Sequence, residues 1–370
     1  MLKFSCEKAL LQAAVSTAGR AVASKSSIPA LEGLFIEGNT NLVLSGYNMQ
    51  TGIRTAFEAE IHEQGKIVLN ARLFSDIIRK LPDDVVVFSA DENFLVKLTC
   101  GDASFEILGM SADDYPELPE VDDEYRVSIG QKTLKAMINE TAFAVSTNES
   151  RPVHTGSLFE INENSLTVVS VDGFRLALRH EPLERTEGGG FRFVAPGNAL
   201  REVENICDDT DDVIQITLGK RHLLFEAGST QLICRRLEGE FLDYKNAVPH
   251  SNPISVEVEK KSLLESLDRV SVVISEKLKS PVRCVFDLDK VYLSAKTGNG
   301  EAKDVCAVKG DGKELEIGFN NRYLMDALRY APAETVKMEL NTGISPCVIV
   351  PTDGSDNFLY MVLPVRLKAN

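Results

Sequence analysis

The residues that could do chemistry in this chain are few, and their spacing argues against a reaction. Asp172, in the string VDGFR, could serve as a catalytic carboxylate, but its Asp-Gly setting reads as a turn. No Ser/His/Asp order, no GxxxxGK phosphate loop and no paired-acid motif accompanies it. The seven cysteines, at 6, 100, 207, 234, 284, 306 and 347, form no CxxC pair; several sit in apolar strings such as VRCVFDL and read as buried, reduced thiols. The five histidines lack HxxxH or HExxH spacing, so no zinc site is expected. What remains is charge chemistry. The predicted helices, 7–20, 71–80, 131–144, 197–206, 260–274 and 321–330, carry 13 basic and eight acidic residues, an excess of +5 in a chain whose net charge is −15. A dense nucleic-acid patch would be more basic than this. A shared helix face turned toward a polyanion, with an acidic exterior, fits the distribution.

The elements that carry these residues recur. KIVLNARLFSDIIRKLPDD at 66–84, RFVAPGNALREVENICDDT at 192–210 and EIGFNNRYLMDALRYAPAE at 316–334 share one plan: a β-like run, a polar break, an amphipathic helix and a stop. Phe74, Leu200 and Leu324 take equivalent places, 126 and then 124 residues apart. FSCEKALLQAA, VSIGQKTLKAM and VEVEKKSLLES repeat in step. A solenoid repeats every 20 to 50 residues or so, so this longer period is a whole small domain copied three times.

Each copy reads as β-α-β-β-β twice over, an α+β layer architecture. Apolar stripes are expected at Leu10, Ala14 and Ala18, at Leu134, Ile138 and Val145, and at Leu263, Leu267 and Val270. Asn70 is expected to cap the helix that Pro82 stops. Hairpins are expected in LEGLFIEGNTNLVLSGYN, GSLFEINENSLTVVSVDG and VRCVFDLDKVYLSAKTG. GDGKE at 310–314 reads as a further hairpin turn, Gly188–Gly190 as a flexible turn and DDTDD at 208–212 as a charged helix exit. The segments PELPEVDDEY and KNAVPHSNP place domain boundaries near 123 and 252, giving domains 1–122, 123–251 and 252–370. No apolar run approaches the roughly 20 residues that cross a bilayer, and Glu7 and Lys8 break any leader-like core, so a cytoplasmic protein is expected.

SIPALEG, NARLFSDIIRKLP, SVDGFRLAL, EGEFLDYKNAVP, EIGFNNRYLMDAL and YMVLPVRL, in this order on a threefold repeat, carry a resemblance to the bacterial DNA polymerase sliding clamp, the beta subunit. The resemblance runs the full length. It implies a head-to-tail homodimer whose six domains close a ring lined by helices. Duplex DNA would thread the ring without sequence reading, a separate clamp loader would open it, and DNA polymerases and repair proteins would bind through short linear peptides. It implies no catalytic activity, no cofactor and no membrane.

Residue by residue, the resemblance carries DNA contact to Lys25, Arg72 and Asn148; Arg20, Arg79, Lys80 and Lys135 are weaker candidates from helix placement alone. It carries the subunit contact to Phe105 and Ile107 in the first domain and Val273 and Ile274 in the third, all expected on edge strands that pair between copies. It carries a peptide groove to Arg151 and His154, to Val171, Gly173, Phe174, Arg175 and Leu176, and to Leu242. From the third domain come Asn320, Tyr323, Ile344 and Pro346, then Met361, Val362, Leu363, Pro364, Val365 and Arg366. That set reads as an apolar trough rimmed by arginines. Val171, Phe174, Leu242 and His154 depart from the residue types common there, and the chain runs on through Lys368–Asn370, so the trough is expected to be more apolar at one end.

Two rival functions follow from the same residues. An enzyme would need one copy to carry an extra polar set, and none does. A peptide-binding scaffold that never encircles DNA would keep the groove without needing basic residues on the helices of every copy.

Overall fold

The structure, a computed structural model, describes residues 1–122, 124–183, 186–187, 190–249, 251–274 and 280–367, the side chains of 186 and 187 excepted. The expected glycine turn at 188–190 falls largely outside these residues, as does the 368–370 extension. The chain divides into two compact units. One comprises Met1–Lys135 with Arg201–Arg236, the other Ala136–Leu200 with Leu237–Asn370.

Seven α-helices are present among the described residues: α1 Lys8–Gly19, α2 Ala71–Lys80, α3 Gln131–Ala142, α4 Gly197–Ile206, a single turn α5 Tyr244–Ala247, α6 Lys260–Ser271 and α7 Asn321–Tyr330. In the first unit, strand Leu2–Glu7 alternates strictly, burying Leu2, Phe4 and Cys6 and exposing Lys3 and Glu7. The helix that follows buries Leu11, Ala14, Val15 and Ala18. Leu10, expected in that stripe, is instead 42% exposed, because Leu11 and Val15 complete the i, i+3, i+4 face. Asn70 caps α2 as expected, its Oδ1 accepting from the Leu73 N–H at 3.0 Å, and Leu81-Pro82 ends the helix. Strand Leu2–Glu7 pairs with Val85–Ala90, and the sheet continues through Leu95–Cys100 to the edge strand Ala103–Leu108.

The three expected hairpins form, Gly33–Gly38 with Leu42–Tyr47, Gly156–Asn162 with Ser165–Val171, and Val282–Phe286 with Lys290–Thr297. Each repeat follows the expected plan, with one short strand more than expected, at Glu60–Glu63, Thr186–Glu187 and Lys309–Gly310. The first of these pairs with Leu2–Glu7 and the last with Ile254–Glu259. The last also corrects the reading of GDGKE. Lys309–Gly310 and the following strand Leu315–Phe319 belong to different sheets, so the segment passes between sheets rather than turning a hairpin.

The repeats are joined by strand pairing. In the first unit, Thr51–Phe57 of the first repeat pairs antiparallel with Thr230–Arg235 of the second, merging both into one long sheet. In the second unit, Arg175–Pro182 of the second repeat pairs with Phe358–Val362 of the third inside a nine-stranded sheet. Of the eight strands that end a sheet, Gly65–Asn70, Phe191–Pro196 and Leu315–Phe319 each gain one isolated bridge, to Met110, Leu237 and Pro364, and Glu60–Glu63, Thr186–Glu187 and Lys309–Gly310 are short. Among the described residues Ala103–Leu108, on a five-stranded sheet, and Gly300–Ala307, on a four-stranded one, are the long edges without such a bridge.

The seven cysteines are all free and buried. Burial pushes the Cys6 and Cys207 thiols up to about 12, which keeps them unreactive near neutrality. No helix is long and apolar enough to cross a membrane.

Candidate functional site

In the second unit, strands Arg175–Pro182 and Phe358–Val362 pair and bring together several of the residues expected to line a groove. Paired residues point to the same face, so the ladder sorts them. Leu176 pairs with Met361, and both join an apolar cluster with Val171, Val153, Val348 and Tyr244. Leu363, Phe241, Leu237, Val248 and Leu359 pack around it. Arg175 pairs with Val362, and that pair turns to the opposite, helix-covered face, where Val362 enters the main core.

This corrects the expected arginine rim. Arg175 is only 8% exposed. Its Nε donates to Asp172 at 2.9 Å, its Nη1 donates to Asp326 of α7 at 2.6 Å, and its guanidinium carbon lies 4.5 Å from the centre of the Tyr323 ring. The expectation failed because Asp326 lies 151 residues away in sequence. The rim arginines are Arg151 and Arg366, both exposed.

Asp172 is a turn residue. One carboxylate oxygen accepts from the Phe174 and Arg175 N–H groups at 2.9 and 3.0 Å, and Gly173 takes φ +91°, a conformation open to glycine. The turn thrusts Phe174 outward, 59% exposed, with its ring stacked 6.1 Å from Tyr323. Asn320 caps α7, accepting from the Arg322 N–H at 3.1 Å, and so fixes the helix that carries Tyr323 and Asp326. After Val362 the chain leaves the sheet: the Leu363 N–H donates to Phe174 O at 2.9 Å and the Val365 N–H to Gly318 O at 2.8 Å, while Pro364 bridges Phe319. Ile344 is 78% exposed on a turn closed by Thr342 and Ser345, beside half-buried Pro346. Leu242 is exposed, and His154 meets Phe241 edge to face at 5.4 Å. Burial, then the charge of Arg151, holds the His154 pKa below its ordinary value. Phe241, Tyr244 and Leu237 were missed by sequence reading, although Phe241 and Tyr244 lie within EGEFLDYKNAVP, the string that supplied Leu242.

Lys25 and Arg72 are exposed in the first unit, and Asn148 is exposed in the second. Arg72 lines a cleft of about 640 Å³ between α1 and α2, shared with Arg20, Glu32 and Asn70. The weaker candidates are mostly neutralised: Arg20 pairs with Glu202 at 3.5 Å, Arg79 with Asp76 at 2.6 Å and Lys135 with Asp209 at 3.0 Å. Among the described residues, Lys25, Arg72, Lys80, Lys132 and Arg201 are exposed and without an ion-pair partner.

Phe105 and Ile107 lie half-buried on the edge strand Ala103–Leu108, as expected. Val273 and Ile274 do not lie on a strand. Their β-branched run VSVVI instead closes α6, with Ile274 N–H donating to Ser271 O at 2.8 Å, because the stripe of Leu263, Leu267 and Val270 extends helix to Ser271. The four-stranded sheet that ends in strand Gly300–Ala307 is tied to this turn by Thr297 Oγ1 donating to Val273 O at 2.9 Å.

The second unit holds an apolar cluster, and several exposed cations lack an ion-pair partner, with no group of three or more metal-ligating side chains among the described residues. Models of the DNA polymerase III beta subunit match its N-terminal domain to residues 2–119, its central domain to 128–243 and its C-terminal domain to 245–366. The beta sliding clamp of Halalkalibacterium halodurans is 32% identical over 95% of this chain and 96% of its own. The sliding clamp structure of Bacillus subtilis superposes with a TM-score of 0.94 at 28% identity, over 99% of this chain and 100% of its own. The beta subunit structure of Thermotoga maritima gives 0.92 at 28%, over the whole of both chains. The chain belongs to the DNA polymerase III beta subunit family, and its three clamp domains act as a non-catalytic DNA sliding clamp.

Proposed function

We propose that two copies of this chain close head to tail around duplex DNA and carry polymerases and repair proteins by short peptides seated in the trough. The observation that carries this reading is a repeated strand junction. Ile53 pairs with Leu232 where the first repeat meets the second, and Ala177 pairs with Tyr360 where the second meets the third; all four are fully buried. The hairpin registers Gly46↔Ile53, Ser170↔Ala177 and Ala295↔Ala302 make Ala302 the third member of the first series. The tight turns Ala227↔Thr230 and Cys100↔Ala103, with Gly228 and Gly101 at φ +56° and +54°, make Phe105 the counterpart of Leu232. Ala302 and Phe105 sit half-buried on the edge strands Gly300–Ala307 and Ala103–Leu108. The Ala103–Leu108 edge carries Phe105, Ile107 and the 73% exposed Leu108, and such an edge left bare invites aggregation, so a matching edge from a second copy is the economical cover. Because the two edges differ, the contact is heterologous and must close into a ring or grow into a fibre.

A closed ring holds DNA by topology, so a few unpaired cations contacting phosphates suffice and permit sliding without sequence readout. Lys25, Arg72 and Asn148 are the contacts we assign. Domain boundaries near 123 and 252 fit this reading, as does a cytoplasmic working site on chromosomal DNA. A clamp loader would open the ring. The exposed Phe174, Ile344 and Leu242 give the trough an aromatic and aliphatic mouth for peptide side chains. Loading onto nicked circular duplex with a loader and ATP, followed by linearisation, tests the proposal. Retention lost on cutting supports the ring; retention that survives cutting indicates ordinary contact binding. A chain that binds peptide yet never stays on the circle is the scaffold.

A further inference from the structure

The three repeats place a helix residue over the same point of each junction strand, and the chemistry at that point changes from copy to copy. Aligned on their first strands and helices, Thr17, Glu140 and Arg269 are equivalent. Aligned on their hairpins, Thr55, Arg179 and Asp304 are equivalent. At the first junction the position is neutral: Thr55 is buried, and its hydroxyl meets Thr230 of the pairing strand at 2.9 Å. At the second it is a buried ion pair. Glu140 Oε2 lies 2.6 Å from Arg179 Nε, and Arg179 Nη1 donates to Asn357 O at 2.7 Å, just before the pairing strand begins. That contact is a close charge pair without hydrogen-bond alignment.

On the edge strand Gly300–Ala307 the same two positions hold the pair with its signs reversed. Arg269 Nε donates to Asp304 Oδ2 at 2.5 Å, and Arg269 Nη2 donates to Ser266 at 3.0 Å. The other Asp304 oxygen accepts from the Val305 N–H at 2.7 Å. Here Arg269 is 59% exposed, where Arg179 is 7% exposed. One more equivalence sharpens the contrast. Phe143, whose ring packs edge-on to Tyr360 at 5.3 Å, corresponds to Val272, which is 82% exposed, and Tyr360 corresponds to Phe105.

We infer that Arg269 and Asp304 form a subunit-junction latch, completed when strand Ala103–Leu108 of a second copy pairs along Gly300–Ala307 and covers them as Phe358–Val362 covers Glu140 and Arg179. The inference rests on the ring reading and goes beyond it by naming the pair that closure buries. The register of the internal junctions sets Asp304 opposite Ala103, as Thr55 faces Thr230 and Arg179 faces Phe358. Ala103 brings no charge, so the pair must arrive satisfied within its own chain, which its contacts to Val305 and Ser266 achieve. Removing one member strands the other at a covered site, whereas exchanging the two signs preserves the balance.

Sedimentation equilibrium of the full chain and its variants tests this. Arg269→Gln and Asp304→Asn, both at partly exposed positions of the single chain, are expected to keep the melting behaviour of the isolated chain and weaken the dimer on the order of tenfold or more. The double exchange Arg269→Glu with Asp304→Arg rebuilds the arrangement of Glu140 and Arg179 and is expected to recover most of the lost affinity. Single variants within twofold of the parent dissociation constant would overturn the latch while leaving the ring intact. So would a double exchange no tighter than the weaker single. A parent chain that stays monomeric at every concentration would overturn the latch and the ring together.

Discussion

Arg175 Nη1 lies 2.6 Å from Asp326 Oδ2, joining the turn before one junction strand to the helix that faces it. The same guanidinium holds Asp172 and covers the Tyr323 ring, so one buried cation ties the Asp172 turn to α7. Both partners are nearly enclosed, and without Arg175 the buried Asp326 keeps only its longer contacts to the exposed Arg322 and Arg329, at 3.9 and 3.7 Å, while Asp172 loses its guanidinium altogether. Arg175→Ala is expected to cost about 3–5 kcal/mol of stability. It should appear as an earlier thermal transition and abolish peptide binding, because Phe174 and Tyr323 lose their common support. An unchanged transition would show that the pair is not held as described.

Phe174 makes the opposite prediction. Its ring is mostly in solvent and gains little from the fold beyond the Tyr323 stack. Phe174→Ala is expected to change stability by about 1 kcal/mol or less, the worth of one aromatic pair. Peptide affinity, followed by fluorescence anisotropy with a polymerase-derived clamp-binding peptide, is expected to fall about tenfold as an apolar contact at the mouth disappears. Equal affinity in both proteins would move the mouth of the trough elsewhere.

Much of this arrangement is legible in the sequence, and the failures have a common physical origin. The hairpins, the Asn70 cap and the turn at Asp172 are local, set by residues within a few positions of each other, and were readable. The Arg175 clamp, by contrast, depends on a partner in another repeat. RLAL offers no sign that its arginine turns inward while the leucine beside it lines the trough. VSVVI carries β-branched residues that favour strand, yet the tertiary stripe of α6 holds it against the helix end. Leu10 and Leu11 are indistinguishable by composition, and only the completed i, i+3, i+4 face selects the second.

His154 supplies a pH test. Its folded pKa lies below the ordinary histidine value of about 6.5, through burial and then the nearby Arg151. As pH falls through about 6.5 the unfolded chain takes up a proton that folded His154 refuses, so stability from this site declines. The decline ends once pH passes below the depressed folded value, where both states are protonated. Relative to His154→Gln, the melting temperature of the parent is therefore expected to drop on acidification from pH 7. Peptide affinity is expected to stay flat through the ordinary imidazole range and fall only below it, when a charged ring forms beside Phe241. A parent and variant that melt in parallel from pH 7 to 5 would mean His154 titrates normally.

Lys25 and Arg72 separate topological from electrostatic holding of DNA. Both are exposed cations without an ion-pair partner, and a phosphate contact is worth about one unit of salt dependence in the logarithm of affinity. Lys25→Ala with Arg72→Ala is expected to lower the slope of log K against log salt, for contact binding to a short linear duplex, by about two. Arg79→Ala should change it far less, since Asp76 already neutralises that guanidinium. Once a ring has been loaded onto a circle, neither change should shorten retention, because escape then requires opening a subunit junction rather than breaking phosphate contacts. Retention that fell with the salt slope would place the hold in Lys25 and Arg72 themselves, and the closed-ring account of this chain would fail.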